Sequence, residues 1–375
     1  MSYSQETFNA LTLSRLCRFN PAAGLLLYRK MGSATNVVDH SRDIRDVLPD
    51  ISPKLAKSLA DTSDAMRHAE TELAFDEKHG IKPIIFSDED YPERMHECDD
   101  APLVVFYRGT ANLNQRRVLS IVGTRHCTAY GQDLIRRFVA DLRQLCPETL
   151  IVSGLAYGVD INAHRDALRE GMETVGVLAH GLDYIYPNAH RDTAREMLSQ
   201  GGLLTEFFTQ TNADKMNFVR RNRIVAGMAD AVLLVESAAH GGGLITAEMA
   251  QDYGRDVFAF PGNVGAPYSE GCNNAIRDNK AMLTTSADDF VKAMGWEQDS
   301  LMAKARRNGI ERQLFPSLSA EEQRVVDVLT ATNDLQLNVL AVKCGVPISS
   351  ASATLFALEM KGVLKMYAGG VYHLL

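Results

Sequence analysis

A chain of 375 residues, 46% of them hydrophobic, is long enough for two or three domains with sizeable cores. Its formal net charge of −8 excludes a surface coated for nonspecific nucleic-acid binding, so any polyanion site must be a local basic patch. Cys17, Cys98, Cys127, Cys146, Cys272 and Cys344 are dispersed with no C-x-x-C pair. They read as small buried residues in a reducing compartment, not as a disulfide frame or a zinc site. The N-terminus has no basic-then-apolar signal and no apolar run is long enough for a membrane span, so a cytoplasmic location is expected.

Ser4 to Lys78 predicts short helices with polar turns, because Leu11, Leu13, Leu16, Leu25, Leu26, Leu27 and Met31 recur near helical spacing. Leu48–Leu59 reads as one arm of a helix-hairpin-helix, with Ser52 as N-cap and Pro53 at the first helical position. Its turn carries Asp50 where a DNA-gripping hairpin would use glycine, so a structural helical domain over residues 1–78 is expected. From Gly80 the pattern changes. Ile81–Phe86 and Leu103–Tyr107 are short β-type runs. Val118–Val122, Leu150–Val152, Thr174–Leu178, Ala231–Val235 and Asp256–Phe260 then alternate with the helical stretches Asp133–Leu145, Asp160–Arg169 and Ile245–Tyr253. That alternation predicts a parallel sheet covered on both faces, over residues 79–298. Charge and lost periodicity mark a linker at 299–318. Residues 319–375 fit a winged helix, with helices Glu321–Leu329, Leu337–Cys344 and Ser350–Lys361 and a wing turning at Gly369-Gly370.

Asn217–Arg223 places one Phe and three Arg within seven residues, directly before the apolar Ile224, Val225 and Met228. Arg recognises phosphate in bidentate fashion and Phe offers a stacking surface for a base. Alone, the heptapeptide fits a polyanion site and a bland surface helix start equally well. In an open parallel sheet, ligands bind beyond the carboxyl ends of the strands. Four loops there are glycine-bearing or polar: Gly123–Arg125, Ser153–Gly158 with Asp160 as expected N-cap, Ala179–Gly181, and Glu236–Gly243 leading to Thr246. Backbone N–H groups at such loops can hold phosphate without charge.

Catalytic readings find little support. Ser153, Asp160 and His164 are near in sequence, but Ser153 lacks the G-x-S-x-G elbow of an activated nucleophile. The histidines form no metal-binding motif, and neither G-x-x-x-x-G-K-[ST] nor G-x-G-x-x-G occurs, so no metal or cofactor is expected.

Ile121–Arg125, Ser153–Asp160 with Ala163-His164, Gly181–Pro187, Phe218–Ile224, Gly243–Ala247, Pro261-Gly262 and Gly271–Asn273 resemble, in order, the motifs of the DNA-processing protein A (DprA/Smf) family. The resemblance is strong from Gly80 to about Phe290 and loose in the flanking regions. It implies an α/β fold with an extended Rossmann-like core, a small N-terminal helix-hairpin-helix or SAM-like helical domain and a C-terminal winged helix. It further implies a non-catalytic, homodimeric protein that binds single-stranded DNA and loads the RecA recombinase during natural transformation. Carried over by position, Gly123, Thr124 and Arg125 would hold phosphate, with Ser153 and Gly154 beside them. Lys215, Arg221 and Arg223 would line a basic pocket, Phe218 would stack on a base, and Asn222 would fix the turn. Gly241, Gly242, Gly243 and Thr246 would add donors, while Arg220 has no assigned role. Val219 stands where the family usually has proline, and Asn279-Lys280 replaces a glycine-alanine ending; both alter loop stiffness, not the basic groups. About four phosphate contacts predict roughly a fiftyfold affinity loss between 50 and 200 mM salt. The expected recognition helix from Ser350 carries no Arg, which favours a protein-contact or structural role for the winged helix. Two rivals remain: a hydrolase releasing base from nucleoside monophosphates, because Gly241–Glu248 resembles the glycine-rich loop of such enzymes, and a non-catalytic nucleotide sensor.

Overall fold

The structure is a computed structural model that describes residues 3–18, 20–296, 318–333, 335–361, 363–367 and 370–374. The chain divides into two units, Met1–Glu297 and Gln298–Leu375. The linker expected at 299–318 lies outside the described residues except at Leu318, as does Gly369 of the wing.

Six helices open the first unit: α1 Gln5–Leu16, α2 Pro21–Met31, α3 Ala34–Asp39, α4 Ile44–Val47, α5 Pro53–Leu59 and α6 Ser63–His79. Ser52 caps α5 through the N–H of Leu55, with Pro53 opening the helix, as its sequence predicts. The strands are β1 Lys82–Ile85, β2 Val104–Gly109, β3 Arg117–Val122, β4 Thr149–Ser153, β5 Thr174–Val177, β6 Gly201–Thr205, β7 Ala231–Leu234, β8 Asp256–Ala259 and β9 Met282–Leu283. Between them lie α7 Ala129–Leu145, α8 Val159–Arg169, α9 Arg191–Met197, α10 Lys215–Gly227, α11 Gly242–Asp252, α12 Glu270–Arg277 and α13 Ala287–Ala293.

All nine strands form one sheet in the order β1-β2-β6-β5-β4-β3-β7-β8-β9. It is mixed, not wholly parallel: β1 pairs antiparallel with β2, and β2 with β6. β6, opening on Gly201-Gly202, escapes detection from hydrophobic runs because two glycines begin it. Alternate residues along the strands feed opposite faces. Val118, Val122, Leu150 and Val152 join the core that also contains Leu11, Leu25 and Leu59 of the N-terminal helices, so helices and sheet share one interior. Leu119, Ile121 and Ile151 face a second core with Ile135, Phe138 and Val139 of α7.

β3 is buried along its whole length, and the sheet order reverses at it: β4 lies on one side, β7 on the other. A crevice opens at such a reversal because the chain leaves adjacent strands in opposite directions.

The second unit has helices Ala320–Ala331, Leu337–Cys344 and Ile348–Met360, with strands Leu335–Gln336, Leu364–Tyr367 and Val371–Leu374 in a three-stranded antiparallel sheet. Ser319 and Glu322 form a capping box at its start.

Candidate nucleic-acid interface

A cleft of about 670 Å³ lies at the carboxyl ends of β3, β4 and β7, where the strand order reverses. Its walls come from Gly123–Arg125 after β3, Gly154 and Ala156 after β4, Gly241–Gly243 with Thr246 at the start of α11, and the inner face of α10.

Asn217–Arg223 lies inside α10, whose N-cap Asp214 accepts the N–H of Asn217 at 2.8 Å. Helical spacing therefore sorts its side chains. Lys215, Phe218, Arg221, Asn222 and Val225 face the cleft. Asn222 fixes no turn; its Oδ1 accepts the Nε–H of Arg221 at 3.2 Å.

Arg221 forms the cleft floor at 3% exposure. Its Nη1 donates to the carbonyls of Gly154, at 2.6 Å, and Val177. Burial pulls its pKa down to about 10, against the opposing pull of Asp160. Nη2 makes no hydrogen bond among the described residues and is the edge left for an anion. A Cβ at Gly154 would come within 2.5 Å of the guanidinium, so any other residue there would displace Arg221 from this position. The next residue, Leu155, is held at φ 54, a left-handed conformation that L-residues adopt at a cost.

Arg125 is exposed and lies over the Phe218 ring at 4.6 Å, while Arg221 lies 5.8 Å from the same ring. A base stacking on the face that Arg125 covers must take its place. Tyr186, 45% exposed and 6.0 Å from Phe218 between centroids, supplies a second ring to the cleft. Sequence reasoning missed it as a site residue, although it lies in the Gly181–Pro187 motif. No side chain caps α11 among the described residues, so N–H groups of its first turn face the cleft at Gly242 and Gly243.

Several expected contributors sit elsewhere. Arg223 is 5% exposed and pairs with Glu206 and the carbonyl of Asp100; burial opposes its charge, but Glu206 and Asp100 outweigh that and raise its pKa. It lines no part of the cleft. Arg220 donates to the carbonyl of Arg18 and lies 5.5 Å from the Phe207 ring, tying α10 to the N-terminal helices. Ser153 is fully buried, and its hydroxyl donates to the Ile121 carbonyl at 2.6 Å. The N–H of Thr124 is taken by the carbonyl of Glu236 at 2.7 Å, which leaves only Gly123 of that pair as a backbone donor. Asp160 is not the N-cap of α8; Gly158 is, and Asp160 instead accepts the N–H of Ala156 and lines the cleft.

No triad forms at Ser153. His164 Nδ1 donates to Thr174, whose hydroxyl donates onward to Ile151, and burial drives the His164 pKa down to about 3. Glu248, the carboxylate that the hydrolase reading needs, is exposed outside the cleft and pairs with Lys280 at 3.5 Å.

The fold and cleft define a class: a Rossmann-like domain with a cleft at its switch point, joined in sequence to a winged helix. The family model for DNA recombination-mediator protein A matches residues 82–295, and the DprA winged helix domain matches residues 311–370. The DNA processing protein DprA of Streptococcus pneumoniae is 35% identical over 54% of this chain and 70% of its own. Protein Smf of Escherichia coli is 32% identical over 81% and 80%. The X-ray structure of the Streptococcus pneumoniae protein superposes with a TM-score of 0.65 at 31% identity, covering 78% of this chain and 98% of that one. A Helicobacter pylori structure, described as showing a unique single-stranded DNA binding mode, gives 0.52 at 26%, covering 57% and 95%. The chain belongs to the DNA-processing protein A (DprA/Smf) family, the recombination mediators of transforming DNA.

Proposed function

We propose that this chain binds single-stranded DNA in the switch-point cleft and delivers it to the RecA recombinase during natural transformation, without catalysing a reaction. One observation carries the reading: a single cleft joins Arg125, Lys215 and Arg221, an uncapped helix start, and the rings of Phe218 and Tyr186. Cations and N–H groups suit phosphates, and the rings suit bases of any sequence. The family's Helicobacter pylori member, described as binding single-stranded DNA, supports the same assignment. The protein acts in the cytoplasm as a homodimer built through the Rossmann-like unit. Support for the dimer comes from the edge strand β9, where Met282 and Leu283 are 43% and 54% exposed. The winged helix contacts protein rather than duplex DNA: Ile348, Phe356 and Met360 lie exposed along one helix that carries no Arg or Lys.

With Arg223 engaged in an internal ion pair, three cations remain instead of four. The single-strand salt slope is then about −2.1, or roughly a twentyfold affinity loss between 50 and 200 mM salt. Fluorescence anisotropy with mixed-sequence oligonucleotides tests this. The Arg125→Ala/Arg221→Ala variant should reduce the slope to about −0.7. A flat response in wild type, or unchanged binding in the variant, refutes the reading. RecA filament assembly with and without the chain tests delivery.

A further inference from the structure

A second cleft, of about 650 Å³, lies on the other side of the loop that carries Tyr186. Three guanidinium groups surround it: Arg108 from β2, and Arg191 and Arg195 from α9. Arg108 and Arg191 have no hydrogen-bond or ion-pair partner among the described residues. Arg195 lies 3.7 Å from Asp192, but both side chains are largely exposed, so the pair is weak. Among the described residues the one acid lining the cleft is Asp183, and one of its oxygens already accepts the N–H of Gln210 at 3.1 Å. Three cations against Asp183 and the flanking Asp192 leave a local basic excess in a chain of net charge −8. The floor is apolar, formed by Leu182, Ile185, Leu198 and Leu203, with Tyr184 at its rim. That combination of two unpaired guanidiniums and a weakly paired third over an apolar floor suits a ligand with phosphates and flat, weakly polar rings.

The loop between the clefts is held in place. His180 takes the N–H of Tyr186 at 3.2 Å and reaches the Gly181 carbonyl with Nδ1 at 2.8 Å. Tyr184 stacks on His180 at 4.3 Å, and its hydroxyl accepts the N–H of Ala213 at 2.7 Å. Ile185 lines one cleft and Tyr186 the other, and consecutive Cα atoms are only about 3.8 Å apart. The two clefts therefore flank the same short loop.

We propose that the second cleft is a continuation site for the same single-stranded DNA, with Arg108, Arg191 and Arg195 holding phosphodiesters beyond those bound at Arg221. This inference rests on the assignment of the first cleft to single-stranded DNA. The test compares oligonucleotides of about six and about twenty nucleotides on the full chain, since longer strands occupy more of a binding track. Arg108→Ala/Arg191→Ala should leave the short oligonucleotide unaffected and lower the salt slope for the long one by about 1.4. Arg108→Lys/Arg191→Lys, which keeps both charges, should retain most of that slope. Arg221→Ala should weaken both lengths. An unchanged slope for the long oligonucleotide in the alanine variant overturns the proposal and leaves these arginines to an acidic protein surface. Equal losses for both lengths overturn it too. If wild type binds neither oligonucleotide, the first assignment fails and takes this one with it; if both bind and only the length effect is missing, the second cleft alone is wrong.

Discussion

Arg221 and Arg223 are two residues apart on α10, and the helical rotation between them sends one to the cleft and the other into the interior. Arg221 reaches the cleft because Gly154 leaves space for its guanidinium and two carbonyls hold it there. Arg223 instead neutralises Glu206, whose side chain is 7% exposed. Removing one member of a buried ion pair leaves the other charge unpaired, which costs about 3–5 kcal/mol. Arg223→Ala should therefore lower unfolding stability by that amount, measured in urea, while DNA affinity per folded molecule stays at the wild-type value. Arg221→Ala should do the reverse: a large loss of affinity with a smaller loss of stability. Equal stability losses in the two variants would contradict this division.

Helix α6 carries its own anomaly. Asp76 is fully buried, and neither carboxyl oxygen has a hydrogen-bond partner among the described residues. Burial, with a smaller contribution from Glu72, pushes its pKa up to about 8 from an ordinary 3.8. A folded pKa above the unfolded one means that the folded state keeps its proton longer. The resulting stability is fully present below about pH 4 and declines by on the order of 1.4 kcal/mol per pH unit as the unfolded carboxyl ionises. It is lost once the pH passes about 8, where folded Asp76 ionises too. Asp76→Asn preserves the shape without the ionisation, so its denaturation midpoints should vary less between pH 4 and 8 than those of wild type. At pH 8 it should be the more stable of the two. A variant with the wild-type pH slope would show that another group is responsible.

Across the whole molecule, the sheet ends at β9 with two exposed apolar residues, an edge that a second copy can cover. Leu283→Asp should raise the dissociation constant of the proposed dimer at least about tenfold, a change of about 1.4 kcal/mol. Light scattering across a dilution series reads that shift, and short oligonucleotides should still bind because each cleft is built within one chain. A Leu283→Asp protein that stays dimeric on dilution would place the interface elsewhere. The second unit has a core of its own, with Val325, Leu340 and Leu355.

The buried parallel strands and the glycine loops were readable because each follows from local chemistry: continuous apolar runs and missing Cβ atoms; the start of α11 was not, since the helix begins on Gly242 and not at Ile245. The family motifs likewise brought Arg125, Lys215, Phe218 and Arg221 to one site. Side-chain direction was not readable. Arg220, Arg221 and Arg223 have identical chemistry, and only the packing of α10 against Phe207, Gly154 and Glu206 separates a tether, a cleft-lining cation and an ion pair. The same applies to Thr124, whose N–H is spent on Glu236, and to Tyr186, whose ring joins the cleft through a loop pinned by His180. Local sequence determined which groups could bind a polyanion. The tertiary structure decided which of them were left free to do so, because a buried polar group must find an internal partner and then has less left for a ligand.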